Sequence, residues 1–279
     1  MLPIKKIYID TKYKTQDSIS SSDFKIQLPE TFYMPDNSVF YVTEVCVPHA
    51  WYTIENNMNN QFYIRVIFDT VNNDLILTLD SKNMTGADLA VEILTQLNKI
   101  AIFNNKFTIT YDSARHLIYI TCDFSYSFMV LTKTDIATKL NNTWHGADYN
   151  VSKPFDVNTN MLRQNEGLSA LYSNANIFVS GCLDLQPIRN IYLSSPNLGN
   201  FNTLGARGQA SIIKKVPVSS NYNEMIFDNM MSTNDFLDCS KQTLKNIEFT
   251  LSDVHGERIN LHGQEVSFSI IFDLINKNS

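Results

Sequence analysis

The sequence predicts a mainly β protein built from antiparallel strands, with a small α+β unit inserted between the two parts of the β fold. Apolar and polar residues alternate with period two in several segments, most clearly over residues 266–274, as expected for strands with one buried face. The chain contains 17 Phe and 13 Tyr, and aromatic residues pack well on a pleated surface. One clear amphipathic helix lies between the strand-rich regions.

Residues 1–72 are predicted to form the N-terminal part of the β fold. A short strand over residues 4–10 precedes a Ser- and Thr-rich loop, and residues 23–29 alternate strictly between apolar and polar side chains. Residues 39–47 carry apolar side chains on both faces, which is typical of a central strand covered on both sides. Strict alternation resumes over residues 62–68.

Residues 73–174 are predicted to form the inserted α+β unit and an extended arm. Thr85 and Asp88 have the spacing of a capping box. The apolar stripe that follows them is made of Leu89, Ala90, Ile93, Leu94 and Leu97. A β-hairpin over residues 107–121 is expected to receive this stripe. Residues 141–174 have few periodic apolar positions and are interpreted as an arm that crosses the surface.

Residues 175–279 are predicted to form the C-terminal part of the β fold. Ile247, Phe249 and Leu251 alternate with polar residues, and the last strand places five apolar side chains on one face. A strand of this quality near the end of the sequence indicates that the first and last strands share one sheet system.

The charge argues against specific binding to nucleic acid. The formal net charge is -6 and the pI is near 5.3, whereas phosphate neutralisation requires a surplus of Lys and Arg. Four lysines near the start are the one basic cluster, namely Lys5, Lys6, Lys12 and Lys14. They could form a local basic patch, but lysines that protect a strand edge from aggregation are the favoured interpretation.

Cysteine usage and hydropathy indicate synthesis in a reducing compartment without a signal peptide. The four cysteines lie far apart and lack the CxxC spacing of a zinc site or a disulfide framework. The first residues lack the apolar core of a signal peptide, and no segment approaches the length of a membrane span.

No motif with catalytic spacing is present, so the chain is predicted not to be an enzyme and to need no cofactor or metal. The sequence lacks GxSxG, a P-loop, a dinucleotide fingerprint and HExxH. A hydrolase with a hidden Cys-His pair is the weak alternative. It would combine Cys182 or Cys239 with His145 or His255.

Residues 188–218 form the most unusual stretch, because a long Gly- and Asn-rich loop separates two apolar runs. Loops of this length are uncommon unless they work at an interface or a binding site. The glycines are spaced wrongly for a phosphate cradle. The loop is therefore predicted to lie at a contact between subunits. The candidate contact residues are Asn197, Asn200, Arg207, Lys214 and Lys215.

Several long motifs carry a family resemblance that runs through nearly the whole chain. The motifs are IYIDTKYKTQDSISSSDFKIQLPE, VFYVTEVCVPHAWYTIE, TGADLAVEILTQLN, KPFDVNTNMLRQ, IYLSSPNLGNFNTLGARGQASIIKKVPV and LKNIEFTLSDVHGERINLHGQEVSFSIIF. This combination resembles the minor capsid, or penton, proteins of Polinton (Maverick) elements and virophage-like viruses.

The resemblance implies an antiparallel jelly-roll sandwich that forms a homopentamer at the fivefold vertices of an icosahedral virion. The partners would be other copies of the chain and a separate major capsid protein, and the residues identify no host receptor. An integrin-binding RGD loop is not expected, because Arg207 and Gly208 are followed by Gln209.

A lectin-like or receptor-binding jelly-roll is the alternative function. It is suggested by aromatic residues near loops, namely Trp51, Tyr52 and Trp144. Such residues more often pack at the edge of a sandwich or at a subunit contact.

Overall fold

The computed structural model describes residues 5–138, 157–163, 176–198, 203–205, 208, 211–229 and 235–274. The chain divides into two compact units. Unit 1 comprises Met1–Trp51 and Ile188–Ser279, and unit 2 comprises Tyr52–Pro187. Unit 2 is thus a single insertion in the sequence of unit 1.

The described strands are, in chain order, β1 (Lys5–Asp10), β2 (Asp23–Tyr33), β3 (Ser38–Pro48), β4 (Gln61–Phe68), β5 (Val71–Thr78), β6 (Phe107–Asp112), β7 (Leu117–Cys122), β8 (Tyr126–Val130), β9 (Ile177–Val179), β10 (Asn190–Ser194), β11 (Ile212–Pro217), β12 (Met225–Asp228), β13 (Leu237–Asp238), β14 (Thr243–Ser252) and β15 (Ser267–Leu274). The helices are α1 (Gly86–Asn98) and α2 (Lys133–Ala137), with 3-10 turns at Thr11–Tyr13 and Ala101–Phe103 and a π turn at Val157–Met161.

Unit 1 is a jelly-roll. One sheet has the strand order β1-β15-β3-β12, with the short β13 also pairing with β3, and the other has the order β11-β10-β14-β2. Counted along unit 1, the first of the eight main strands pairs with the eighth, the second with the seventh, the third with the sixth and the fourth with the fifth. All these pairs are antiparallel. This is the pairing of a long hairpin rolled into two sheets, and it confirms the predicted fold class and the shared sheet of the first and last strands.

The core of unit 1 follows from the alternation seen in the sequence. Phe24 of β2, Phe249 of β14 and Phe268 of β15 pack together with ring centroids 5.1–6.5 Å apart. All three rings are at most 2% exposed. Because Phe268 comes from one sheet and the other two from the opposite sheet, this cluster joins the two layers of the sandwich.

Unit 2 contains two three-stranded sheets, of orders β5-β4-β8 and β6-β7-β9, and has a core of its own. The predicted capping box is present: Thr85 Oγ1 accepts from the Asp88 N–H, and Asp88 Oδ2 accepts from the Thr85 N–H. The apolar stripe of α1 lies in one buried cluster with Ile109 and Ile120 of the β6-β7 hairpin. The hairpin therefore receives the helix as the sequence predicts.

The two unit boundaries differ from the predicted ones at residues 72 and 174. β4 was predicted to belong to the jelly-roll, but it pairs with β5 and β8 of unit 2, so the boundary lies at Trp51. β9 pairs with β7, so unit 2 continues to Pro187. Alternation identifies a strand but not its partner, and this is why the sequence placed both boundaries inside unit 2.

The predicted surface arm over residues 141–174 is described only at residues 157–163, and these residues do not lie on the surface as predicted. Val157, Asn158 and Met161 are fully buried. The Asn158 side chain accepts from the Tyr63 N–H at 3.0 Å and donates to the Tyr63 carbonyl at 2.7 Å. An amide side chain thus completes the hydrogen bonds of β4.

Glu92 is a buried, charged residue of α1 that binds the segment preceding the helix. Its side chain is 5% exposed and accepts hydrogen bonds from Lys82 Nζ at 2.8 Å, Gln96 Nε2 at 2.6 Å and the Asp80 N–H at 3.1 Å. Burial alone would raise the pKa of Glu92, but these hydrogen bonds outweigh burial and lower the pKa. The ionised form is therefore favoured by folding.

We expect Glu92→Gln to lower the free energy of unfolding at neutral pH by about 1.5–3 kcal/mol, because the hydrogen bonds to a buried charge are weakened. The folded-state pKa is depressed, so the contribution is complete above the unfolded value of about 4.3 and disappears as the pH falls through the folded value. Urea denaturation followed by circular dichroism at neutral and acidic pH measures this difference. Asp123→Asn is the control, since Asp123 forms an exposed pair with Lys106. An equal loss in both variants would contradict the role of Glu92.

Candidate subunit-contact surfaces

Among the described strands, the sandwich of unit 1 has two different flanks, each made of one edge strand from each sheet. We call these the β1/β2 flank and the β11/β12 flank. Lys5 of β1 pairs with Glu30 of β2, and its Nζ lies 4.7 Å from the centre of the Phe32 ring. Lys214 of β11 lies 3.7 Å from Asp228 of β12. These contacts show which edges lie side by side.

The β1/β2 flank exposes aromatic side chains. Tyr8 of β1 is 74% exposed and Tyr33 of β2 is 62% exposed. Lys6 pairs with Glu44 at 3.0 Å and lies 4.9 Å from the centre of the Tyr8 ring. Lys6 is one of the lysines predicted to protect a strand edge, and its side chain is 27% exposed. The tyrosines present a large amphipathic contact area.

The β11/β12 flank exposes Met225 and Phe227, which are 56% and 55% exposed. They alternate with the buried Ile226 and with Asp228, so their side chains point away from the core. Among the described strands, β12 pairs only with β3. Large apolar side chains beside an open strand edge mark a surface suited to contact with another chain.

The predicted pair Lys214 and Lys215 is divided between the two faces of β11. Lys215 is exposed, but the Lys214 side chain is only 9% exposed and lies 3.7 Å from Asp228 and 3.6 Å from Asp235. Lys214 lies two residues before the buried Val216, on the same face of the strand. Its aliphatic stem extends along the interior while the ammonium group meets carboxylates at the edge. Lys214 therefore stabilises the flank from within.

The loop between β10 and β11 is anchored on the jelly-roll. Leu198 is fully buried, and Asn197 Oδ1 accepts from the Glu248 N–H at 2.7 Å. The predicted contact residue Asn197 thus has a structural bond that the sequence did not indicate. Asn200 and Arg207 lie outside the described residues. Gly208 has φ +83° and open space around it, a backbone conformation that side chains other than glycine rarely adopt.

The two described aromatic residues that suggested a receptor-binding function, Trp51 and Tyr52, do not form an exposed aromatic surface. Trp51 is 2% exposed and packs against the His49 ring at 4.3 Å, so its ring cannot stack on a ligand. Tyr52 is half-buried, and Trp144 lies outside the described residues. A buried Trp at the end of β3 is a packing residue, as the sequence favoured.

Of the two cysteines in the Cys-His alternative, the structure argues against Cys239 as a nucleophile. Burial, with a smaller effect of Asp238, raises the pKa of Cys239 to about 12, which disfavours the nucleophilic thiolate. Cys182 is exposed and His145 is outside the described residues. Across the described ranges, no group of three or more His, Cys, Asp or Glu side chains could hold a metal ion. No described helix is long and apolar enough to cross a membrane.

Comparison with known proteins gives a similarity in fold. No protein-family model matches the sequence, and no curated protein matches it. Among solved structures, the chain is similar to a mavirus penton protein with a TM-score of 0.50 and 11% sequence identity. The match covers 97% of this chain and 99% of the penton protein. At this identity the similarity establishes a distant penton-like fold.

We expect Lys214→Met to lower the free energy of unfolding by about 1–3 kcal/mol, because the largely buried carboxylate of Asp228 loses the ammonium group that lies 3.7 Å from it. Methionine keeps the apolar stem, so the change isolates the charge. Lys215→Met is the matched control and should change stability by less than about 0.5 kcal/mol. Chemical denaturation of the three proteins provides the comparison, and equal effects of the two substitutions would refute the inward position of Lys214.

Proposed function

We propose that the protein is a structural minor capsid protein, a penton, that forms pentameric vertices of an icosahedral shell. The observation that carries this proposal is the similarity of nearly the whole chain to a penton protein, which includes the inserted unit as well as the jelly-roll.

The geometry of unit 1 suits a closed ring. A ring is built by a heterologous contact, in which each subunit presents two different surfaces to its two neighbours. The β1/β2 flank and the β11/β12 flank are two such surfaces on opposite edges of one sandwich. Both expose aromatic side chains, Tyr8 and Tyr33 on one and Phe227 on the other, and aromatic residues are enriched in subunit interfaces.

In this proposal the loop between β10 and β11 contributes to the ring contact beside the β11/β12 flank. Asn200, Arg207 and Lys215 would act as polar contacts, while Asn197 and Lys214 would hold the loop and the flank in place through their internal bonds. The function needs neither a cofactor nor enzymatic chemistry.

The proposed partners are four further copies of the chain and a separate major capsid protein, which makes the faces of the shell. The proposed location is the vertex of the virion. The net charge of -6 suits a shell component better than a protein that condenses a genome.

A pair of substitutions tests the heterologous contact. We expect Tyr8→Asp and Phe227→Asp each to abolish rings of the full-length protein, because each places a charge within one flank. A mixture of the two variants should form dimers and no larger species. The intact β11/β12 flank of Tyr8→Asp can bind the intact β1/β2 flank of Phe227→Asp, and both outer flanks of that dimer carry a substitution. Light scattering after size-exclusion chromatography measures these masses, with the subunit at 31.9 kDa.

Val254→Asp is the matched control, because Val254 is 41% exposed but lies in the connection between β14 and β15, outside the four strands that form the flanks. This variant should form rings like the unmodified chain. If only one of the two flank variants lost assembly, the contact would be isologous and the ring geometry proposed here would be wrong.

The loop contact has its own test. We expect replacement of Arg207 and Gly208 together to impair ring formation more than folding: rings should be lost, while the melting temperature of the separated subunit falls only slightly because of the positive φ at Gly208. Electron microscopy of negatively stained protein and thermal denaturation measure the two quantities. Unchanged ring formation would remove the loop from the contact.

A further inference from the structure

An open cleft of about 440 Å³ lies within unit 1, between the connection from β1 to β2 and the connection from β14 to β15. Its walls include Lys14 and Ser21 from the first connection and Arg258, Ile259, Asn260 and Leu261 from the second. This volume is within the range of about 300–1,000 Å³ that is typical of small-ligand sites.

Two cations border the cleft, and their charge is only partly neutralised. Arg258 Nε lies 2.5 Å from Asp23 Oδ2. Lys14 Nζ donates to the Thr11 carbonyl at 3.4 Å, and over the described ranges no carboxylate pairs with it. Two positive side chains and one carboxylate leave a surplus of one positive charge at the cleft.

The remaining polar groups of the cleft are mainly donors. Asn260 Oδ1 accepts from the His262 N–H at 3.0 Å, which leaves the amide nitrogen of Asn260 to donate. The terminal nitrogens of Arg258 and the remaining N–H groups of Lys14 are donors as well. Ser21, which is 8% exposed, adds a hydroxyl group at the wall. A ligand that satisfies this set must offer several acceptor oxygens.

We propose that the cleft binds a single carboxylate group, carried by a sugar acid or by an acidic side chain of another polypeptide. One surplus positive charge matches a monoanion better than a doubly charged phosphate. A carboxylate also provides two oxygens for the fork of Arg258 and for Lys14. Ile259 and Leu261 provide apolar wall for the rest of the ligand. The proposal is independent of the capsid function.

Nuclear magnetic resonance of the full-length, nitrogen-15-labelled protein tests this site. The probes are glucuronate for a sugar acid and N-acetyl-glutamate methylamide for an acidic side chain. Glucose is the neutral control and inorganic phosphate the dianion. At least one carboxylate probe should shift the amide signals of Ser21 and Gly263 with a dissociation constant of about 1 mM or tighter. The probe that binds more tightly identifies the source of the carboxylate.

Lys14→Gln and Arg258→Gln should each weaken binding by about tenfold or more, as expected for loss of a charge-assisted hydrogen bond. Lys12→Gln is the matched control, because Lys12 is exposed, lies two residues from Lys14 and is not part of the cleft wall. It should leave the affinity within about twofold, well below the tenfold effect of losing a charged bond.

Three results would each overturn the proposal. The first is the absence of shifts at Ser21 and Gly263 with both carboxylate probes. The second is binding of phosphate more tightly than either of them. The third is an equal loss of affinity in Lys12→Gln, which would indicate attraction to general surface charge. The amide spectra of the variants away from the cleft report directly whether each still folds.

Discussion

The pairing of β1 with β15 closes the jelly-roll, and the pairs of the other main strands of unit 1 are nested within it along the chain. Six residue pairs, from Lys5 with Phe272 to Asp10 with Ser267, join the first described strand to the last. The ladder is extended by the Thr11 N–H, which donates to the Val266 carbonyl at 2.9 Å, and by the Val266 N–H, which donates to Thr11 Oγ1 at 2.8 Å. Closing so long a loop costs chain entropy, which burial of Ile9 and Phe268 in the common core offsets.

Closure of the roll between its first and last strands leaves two pairs of edges, and these edges limit what the protein can assemble into. In the β1/β2 flank, Lys5 forms an ion pair with Glu30 and contacts the Phe32 ring. In the β11/β12 flank, Lys214 forms an ion pair with Asp228. Each flank is therefore held by an ion pair between the two sheets, while aromatic or apolar side chains remain exposed beside it. Two unlike surfaces at opposite edges favour head-to-tail association over a twofold dimer.

Local physics made most of the fold predictable from the sequence. Period-two alternation identified β2, β14 and β15, and the Thr85–Asp88 spacing located α1, because these signals are contained within a few neighbouring residues. Pairing between distant strands was not predictable in this way, so β4 and β9 were assigned to the wrong side of the insertion. Lys214 shows the same limit at a single side chain. Its burial depends on Asp228 and Asp235, which its own neighbours in sequence do not reveal.

The central claim is that this jelly-roll assembles into a fivefold ring through its two unlike flanks. Cryo-electron microscopy of the unmodified, full-length protein, alone or in shells formed with the proposed major capsid partner, is the most direct measurement. We expect rings of five subunits in which the β1/β2 flank of each subunit meets the β11/β12 flank of the next. A twofold dimer joined by identical flanks, or a protein that stays monomeric and never enters a shell, would contradict it.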